Sequence, residues 1–155
     1  MKNDMLPRQR WACLLSQLPA AEIRQAAARF GERYEILDIT LPQSGLGLLK
    51  LQDGALGEAY FLGEIPVARA RVALIDRQGI RHEGAATLLD DRAAFVRDIA
   101  ILDAALANGL SDNHEIETLL VKGRILMIGI ENQRKTLLEK TRVDFSLLGE
   151  EVKND

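Results

Sequence analysis

The sequence predicts an α+β fold, an antiparallel β-meander preceded by a short helical hairpin and followed by two longer helices. Three observations predict it: two short helical stripes near the N-terminus, closely spaced turn signals in the middle third, and long helical periodicity in the last third. A length of 155 residues fits one domain. We therefore expect a single domain over residues 1–155, with residues 141–155 as a C-terminal tail.

The N-terminal segment carries two apolar stripes with helical spacing i, i+3, i+4 and i+7: Trp11, Leu14, Leu15 and Leu18, then Ile23, Ala26, Ala27 and Phe30. Pro19 separates the two stripes, so they predict two short helices in a hairpin. A DNA-binding helix-turn-helix is the alternative, with phosphate contacts from Arg8, Arg10, Arg24 and Arg29. The net charge of −3 and the Ala-rich second helix argue against it.

The middle third has the pattern of strands joined by tight turns. Strands are predicted over residues 34–40, 46–51, 59–62, 67–75 and 80–87. Turns are predicted at residues 42–45, 53–54 and 77–79, and a turn or a bulge at residues 63–64. No helix of about 10 residues fits between these turns, so the connections are expected to be antiparallel hairpins and not βαβ crossovers.

The last third is helical again. One stripe predicts a helix through Phe95, Ile99, Leu102 and Leu106. A longer helix is predicted from about residue 113 to about 140, with the stripe Ile116, Leu119, Leu120, Gly123, Met127, Ile130, Arg134, Leu137 and Leu138. Further apolar residues lie beside that stripe: Val121, Ile125, Leu126 and Ile128. Because residues 119–130 are apolar nearly all round, this helix either crosses the protein's own core or packs against a partner chain. Gly123 and Gly129 would permit a close approach of the neighbouring element.

Composition excludes several classes of protein. Hydrophobic residues make up 47% and charged residues 28%, which is ordinary for a globular chain and excludes a disordered one. The single cysteine, Cys13, excludes a disulfide scaffold. The chain has 20 basic and 23 acidic residues, and this slight acidic excess predicts no nucleic-acid partner. It contains no apolar run of about 18–20 residues, so no membrane span is predicted. Since the N-terminus also lacks the apolar core of a signal peptide, we expect a cytoplasmic protein.

Motifs for cofactors, metals and catalysis are weak. Gly45-Leu46-Gly47 begins like a dinucleotide-binding loop, but Lys50 stands where the third glycine would be. The two histidines, at His82-Glu83 and within residues 112–115, lack the spacing of a zinc site. Arg69, Arg71 and Arg77 are candidates for an anion-binding patch. We expect no catalytic residue, no metal site and no bound cofactor in this chain.

Several local sequences, in matching order, resemble the PhnG family. Arg8-Gln9-Arg10-Trp11 is similar to an opening R-Q-x-W, and residues 57–64 are similar to a G-E-x-F-x-x-G stretch. Residues 34–37, 44–48, 67–74 and 101–105 resemble further family segments, the last of them L-I-D-A-L. The most specific match is Arg142-Val143-Asp144-Phe145, similar to the R-V-D-F of the family's tail. The chain departs from the family at residues 88–92, Leu88-Leu89-Asp90-Asp91-Arg92, where the family shows V-x-G-R-D.

The resemblance implies a role in the bacterial carbon–phosphorus lyase system for phosphonate use. PhnG acts there with PhnH, PhnI and PhnL, in a transfer in which a phosphonate displaces adenine from ATP to give ribose 1-phosphonate 5-triphosphate. PhnJ later cleaves the carbon–phosphorus bond. The resemblance therefore implies an accessory subunit of a transferase complex, with ATP as the substrate of the complex and the chemistry on PhnI.

Partner contacts are expected at two places. The first is the long helix, through Leu119, Leu120, Met127 and Ile130, and the second is the tail, through Arg142, Val143, Asp144 and Phe145. The isolated chain is expected to self-associate or aggregate through that helix. The alternative is a stand-alone binder or enzyme for an anionic nucleotide or phosphonate, through Arg69, Arg71, Arg77 and Arg92.

Overall fold

The chain folds into a three-stranded antiparallel sheet with helices before and after it, as predicted. The computed structural model describes residues 6–111 and 113–140. The elements are a 3₁₀ turn (Arg8–Arg10), helices α1 (Trp11–Leu15) and α2 (Ala20–Gly31), strands β1 (Glu35–Gln52), β2 (Ala59–Ile75) and β3 (Arg81–Leu88), and helices α3 (Ala93–Ala107) and α4 (Asn113–Lys140). The strand order β1-β2-β3 makes the sheet a meander.

Helix α3 lies directly on the sheet and forms the centre of the core. Val72 and Leu74 point at it from β2 and are fully buried, while Ile99 and Leu102 of α3 are equally inaccessible. The two layers touch at Gly84 of β3, where a Cβ atom would lie 2.3 Å from the backbone nitrogen of Ala104. No side chain fits in that space, so only glycine permits this packing distance. Helix α2 packs against α3, and α1 packs against α4.

Strand β1 runs through the predicted turn at residues 42–45, and that prediction is wrong. Thr40 pairs with Arg71 and Gln43 pairs with Arg69, so β1 carries one extra residue between these two pairs. Pro42 lies in this bulge, where its missing N–H costs no ladder hydrogen bond. A proline in an apolar run therefore marks a bulge here and not a chain reversal.

The predicted irregularity at residues 63–64 is a bulge. Leu48 pairs with Glu64 whereas Lys50 pairs with Phe61, so β2 has one residue more than β1 across this step. Gly63 has a φ of 132°, a conformation that residues with a side chain rarely adopt. The bulge bends the β1–β2 pair without ending it.

Beyond the third strand, β1 and β2 continue together as a projecting hairpin. The pairing of β2 with β3 ends at Ala68 and Leu88, and residues 45–67 extend past that point. We call residues 45–67 the ribbon. Its β1 half, residues 45–52, spans roughly 26 Å at about 3.3 Å per residue.

Candidate partner-binding surface

Helix α4 is fixed to the rest of the protein by its first third. A Cβ atom at Gly123 would lie 2.1 Å from the carbonyl oxygen of Leu14, so α1 and α4 touch through backbone atoms, as predicted for this glycine. Lys122 donates hydrogen bonds of 2.7 and 2.8 Å to the carboxylate of Glu22 on α2. Gly129, the second glycine predicted to permit a close approach, has no described atom within 4 Å of its Cβ position apart from the backbone of its own helix and its chain neighbours.

The predicted interface residues on α4 separate into two groups. Leu119 and Leu120 were expected to contact a partner. They are 6% and 3% exposed and lie in the core of the chain itself, so a partner cannot reach them. Met127 is half-buried and packs against the same core, while Ile130 is 39% exposed. The helical stripe mixes core and surface positions because α1 and α3 cover only the beginning of the helix. The other four predicted contacts, residues 142–145, lie outside the described residues.

The accessible apolar surface of α4 lies mainly beyond Gly123. We call residues 124–140 the distal helix; at 1.5 Å per residue it is roughly 25 Å long. Val121, Ile125 and Ile128 follow one another at i, i+4 and i+7 and are 55%, 65% and 44% exposed. Leu126 and Ile130 form a second stripe on another side of the helix, about 140–180° away at 100° per residue. The distal helix therefore presents apolar side chains on more than one side.

A small cleft marks where the distal helix leaves the body of the protein. It has a volume of about 160 Å³ and is lined by Leu6, Arg10, Leu14, Arg124, Met127, Ile128 and Glu131. The cleft lies between the N-terminal segment and α4, next to the half-buried Met127.

A buried carboxylate joins three elements of the fold. Asp103 on α3 is 6% exposed and accepts hydrogen bonds from Arg8 Nε at 3.0 Å and Arg8 Nη2 at 2.7 Å. It also accepts the backbone N–H of Ala85 on β3, at 3.0 Å. Both carboxylate oxygens thus accept hydrogen bonds, and the hydrogen bond to Asp103 raises the pKa of the Arg8 guanidinium. The pair ties the N-terminal turn to α3 and β3, and Arg8 is thereby held away from the role of phosphate contact in the helix-turn-helix alternative.

Arg24 and Arg29, two further arginines of that alternative, are also close to carboxylates. Arg29 is hydrogen-bonded to Glu115, and Arg24 lies 4.0 Å from Asp98. Burial raises the pKa of Asp98, an effect that the charges of Arg24 and Arg97 oppose. Helix α2 accordingly places both of these basic side chains beside carboxylates of this molecule.

The four arginines of the anion-binding alternative do not form one patch. Arg71 lies 3.3 Å from Glu83, and Arg92 is paired with Asp90 at 2.5 Å and stacks over the ring of Phe95. Arg92 is the largest cause of the lowered pKa of Asp90. Arg69 lies about 20 Å from the end of β2 at Ile75, at about 3.3 Å per residue, and Arg77 lies in the turn beyond that end.

Arg77 borders an open cavity of about 350 Å³ that Arg33, Tyr34, Asp76 and Gln78 also line. The Asp76 carboxylate accepts backbone N–H groups from Gln78 at 2.8 Å and Ile80 at 2.9 Å. These bonds, that of Ile80 first, lower the pKa of Asp76. His82 Nε2 lies 3.3 Å from the same carboxylate, so Asp76 is engaged in holding its own turn.

Over residues 6–111 and 113–140, no group of three or more His, Cys, Asp or Glu side chains is arranged to hold a metal ion. His82 faces Asp76, and His114 is 96% exposed. Within the same ranges, none of the helices combines the length and the apolarity that crossing a membrane requires.

A family model described as phosphonate metabolism protein PhnG matches residues 6–149. The chain belongs to the PhnG family. The resemblance predicted from the short motifs is thereby confirmed, and the chain belongs to phosphonate metabolism. Comparison with curated proteins finds no match. The PhnG match covers the projecting ribbon and the distal helix together with the core.

Proposed function

We propose that this PhnG-family chain is an accessory subunit of the carbon–phosphorus lyase core complex. In the proposed reaction an oxygen of the phosphonate forms a bond to C1′ of the ribose of ATP. The bond from C1′ to adenine breaks, adenine leaves, and α-D-ribose 1-phosphonate 5-triphosphate is formed. PhnI carries this displacement chemistry, ATP is the substrate of the complex, and the present chain supplies no cofactor. The proposed complex is cytoplasmic.

The distal helix is the observation that supports this proposal. Ile125 and Ile128 continue an exposed apolar stripe that begins at Val121, just before the distal helix, and Leu126 and Ile130 form another. Leaving such side chains in water forfeits about 25 cal/mol for each Å² of apolar surface that a partner would cover. Large exposed apolar patches on a soluble domain typically mark interfaces. We therefore assign the distal helix, with the cleft at its base, to contact with another subunit.

The distribution of arginines favours an accessory role over a stand-alone nucleotide binder. A triphosphate site needs several cationic or N–H donors that converge on one point. Arg71 and Arg92 are paired with carboxylates of this chain, and Arg69 lies inside β2 whereas Arg77 lies in the turn that follows this strand. The proposed partners are PhnH, PhnI, PhnJ and PhnL.

Co-expression tests the proposal directly. The full chain would be produced with PhnH, PhnI, PhnJ and PhnL and analysed by size-exclusion chromatography. The proposal predicts a stable complex that contains this chain, whereas the chain alone self-associates or aggregates. A monodisperse monomer that does not co-elute with those subunits would contradict the proposal.

Calorimetric titration of the isolated chain with ATP separates the two candidate functions. The accessory role predicts no measurable heat of binding at micromolar ATP. Tight binding by the chain alone would favour the stand-alone nucleotide binder.

A further inference from the structure

The ribbon exposes a large amount of apolar surface for a two-stranded hairpin. Seven of its large apolar side chains are more than a third exposed: Leu46, Leu48, Leu49, Leu56, Tyr60, Phe61 and Leu62. Isolated two-stranded hairpins are marginally stable in water, and they gain stability when a third strand or a packed face is added. Within the described chain, no other element covers these apolar side chains.

The exposed side chains occupy both faces of the ribbon. Leu46 and Leu48 alternate along β1 on one face, and the pairing of Lys50 with Phe61 puts Phe61 on the same face. Leu49 lies on the opposite face together with Tyr60, which pairs with Leu51. An ordinary surface hairpin has one polar face. This one is apolar on both, so a flat surface covers only half of it.

The end of the ribbon is held in a defined shape. The Asp53 carboxylate accepts the backbone N–H of Leu56 at 2.8 Å, and the Asp53 carbonyl accepts the N–H of Gly57 at 3.0 Å. Gly57 has a φ of 69°, which a residue with a side chain adopts at a cost. The turn presents Leu56, 78% exposed, at the tip. Such pre-organisation reduces the entropy that binding would otherwise cost.

A second copy of this chain does not fit the ribbon as an occupant. Two ribbons stacked about a two-fold axis cover one face of each and leave the other face in water. The clefts found on the described body have volumes of about 160 and 350 Å³, and the larger is lined largely by charged and polar side chains. Neither accepts a hairpin that carries seven large apolar side chains.

Charge narrows the class of partner. The ribbon contains Lys50, Asp53, Glu58 and Glu64, a net charge of −2. This charge repels anionic lipid surfaces and phosphate backbones, and it favours basic residues around the site that receives the ribbon. At 23 residues the ribbon alone is comparable with one side of a standard interface, which has about 20–30 residues.

We propose that the ribbon inserts into an apolar cleft with a basic rim on a different subunit of the carbon–phosphorus lyase complex, an inference that rests on the proposed function. Both faces are covered in this arrangement, and Leu56 is the leading anchor. The ribbon is thus a second contact, additional to the distal helix.

Neighbouring residues on opposite faces provide the test. Leu48→Glu and Leu49→Glu each add one negative charge, to different faces of the ribbon, and Gln52→Glu adds the same charge at an exposed polar position of β1. The three variants and the unaltered chain would be co-expressed with PhnH, PhnI, PhnJ and PhnL. We expect Leu48→Glu and Leu49→Glu each to weaken assembly at least tenfold, and Gln52→Glu to change it less than threefold. Circular dichroism and thermal unfolding of the isolated variants check that each is folded.

Every other outcome contradicts the proposal that the ribbon inserts into a cleft. Loss with only one of the two leucine variants indicates a one-sided surface. Full assembly by both variants removes the ribbon from the interface, while the unaltered complex still supports the proposed function. If the unaltered chain does not assemble, the proposed function is wrong, and the proposal that the ribbon inserts into a partner's cleft is wrong with it. An isolated dimer that both variants dissociate identifies a second copy, and flotation of the chain with phosphatidylglycerol vesicles identifies a membrane.

Discussion

The two halves of strand β2 differ in how far their apolar side chains are buried. Residues 68–74 lie beneath α3, where the small Ala68 and Ala70 and the larger Val72 and Leu74 are all at most 1% exposed. Residues 59–67 lie in the ribbon, where Phe61 and Leu62 are 61% and 62% exposed. Within one strand, the apolar side chains of the body are buried and the large apolar side chains of the ribbon are in water.

Helix α4 repeats this contrast. Its first third is held in the core by Leu119, Leu120 and a glycine in contact with α1, whereas Ile125 in the distal helix is 65% exposed. Among the residues that the structure describes, 13 of the 17 exposed large apolar side chains lie in the ribbon or the distal helix, which is why these two projections, and not the body, are assigned to partners. The body is built for close backbone packing, and the projections hold the surface that a partner can bury.

The largest expected effect on folding is in the body. Gly84→Ala and Gly123→Ala each place a Cβ within 2.4 Å of backbone atoms, so each should lower the free energy of unfolding by about 3 kcal/mol. Gly129→Ala is the matched control, since nothing described lies near it and alanine favours the helix by about 1 kcal/mol. Urea unfolding measures all three. An unchanged midpoint for Gly84→Ala would contradict the packing of α3 on the sheet.

The buried carboxylate should come next. Asp103→Ala removes the acceptor of Arg8 and of the Ala85 N–H, and the loss of unfolding free energy should be about 2–3 kcal/mol. Because Arg8 is 54% exposed, much of that loss comes from the unpaired N–H and from packing rather than from charge. Glu83→Ala breaks an exposed pair with Arg71 and should cost less than about 0.5 kcal/mol. Equal losses for the two variants would contradict a structural role for Asp103.

The distal helix should behave in the opposite way. Ile125→Glu should weaken assembly with the partner subunits at least tenfold, about 1.4 kcal/mol, because it puts a charge in the apolar stripe. The unfolding free energy of the isolated chain should change by less than about 0.5 kcal/mol, since Ile125 is exposed there. Gln133→Glu adds the same charge to an exposed polar position and should leave assembly unchanged. Size-exclusion chromatography and thermal unfolding give the two readouts.

The smallest effect concerns Asp98. Its folded-state pKa is raised by burial, so at neutral pH the ionised carboxylate costs stability, and the cost is relieved as pH falls through the folded-state pKa towards the unfolded value of 3.8. Asp98→Asn should therefore raise the melting temperature by about 1–3 °C at pH 7 and by less at pH 3.5. A larger increase in melting temperature at pH 3.5 than at pH 7 would contradict the raised pKa of Asp98.

Local patterns predicted the elements but not what covers them. The spacing of Phe95, Ile99, Leu102 and Leu106 correctly predicted α3, because a helix buried on the sheet needs that stripe. Leu119 and Leu120 were expected in an interface and lie in the core, because a helix that is apolar all round gives no sign of which side its own chain covers. The prediction of a turn at residues 42–45 was wrong because strand pairing overrides a local turn preference.

The ribbon and the buried pair were not anticipated as sites. Phe61 joins Leu48 and Lys50 on one face only because the bulge at Gly63 shifts the register, a relation that depends on pairing between distant residues. Arg8 and Asp103 are 95 positions apart, and no periodicity links them. Both were nonetheless within short segments that resemble the PhnG family, which was the available signal in the sequence.

Hydrogen–deuterium exchange, measured by mass spectrometry on the full chain alone and in the assembled complex, tests the central claim most directly. The claim is that the ribbon, residues 45–67, and the distal helix, residues 124–140, are the surfaces that partners cover. Amides in both segments should exchange at least tenfold more slowly in the complex. The exchange rates of the α3 amides, which are already protected at the centre of the core, should not change. Slower exchange confined to other segments, with both projections unaltered, would contradict the account.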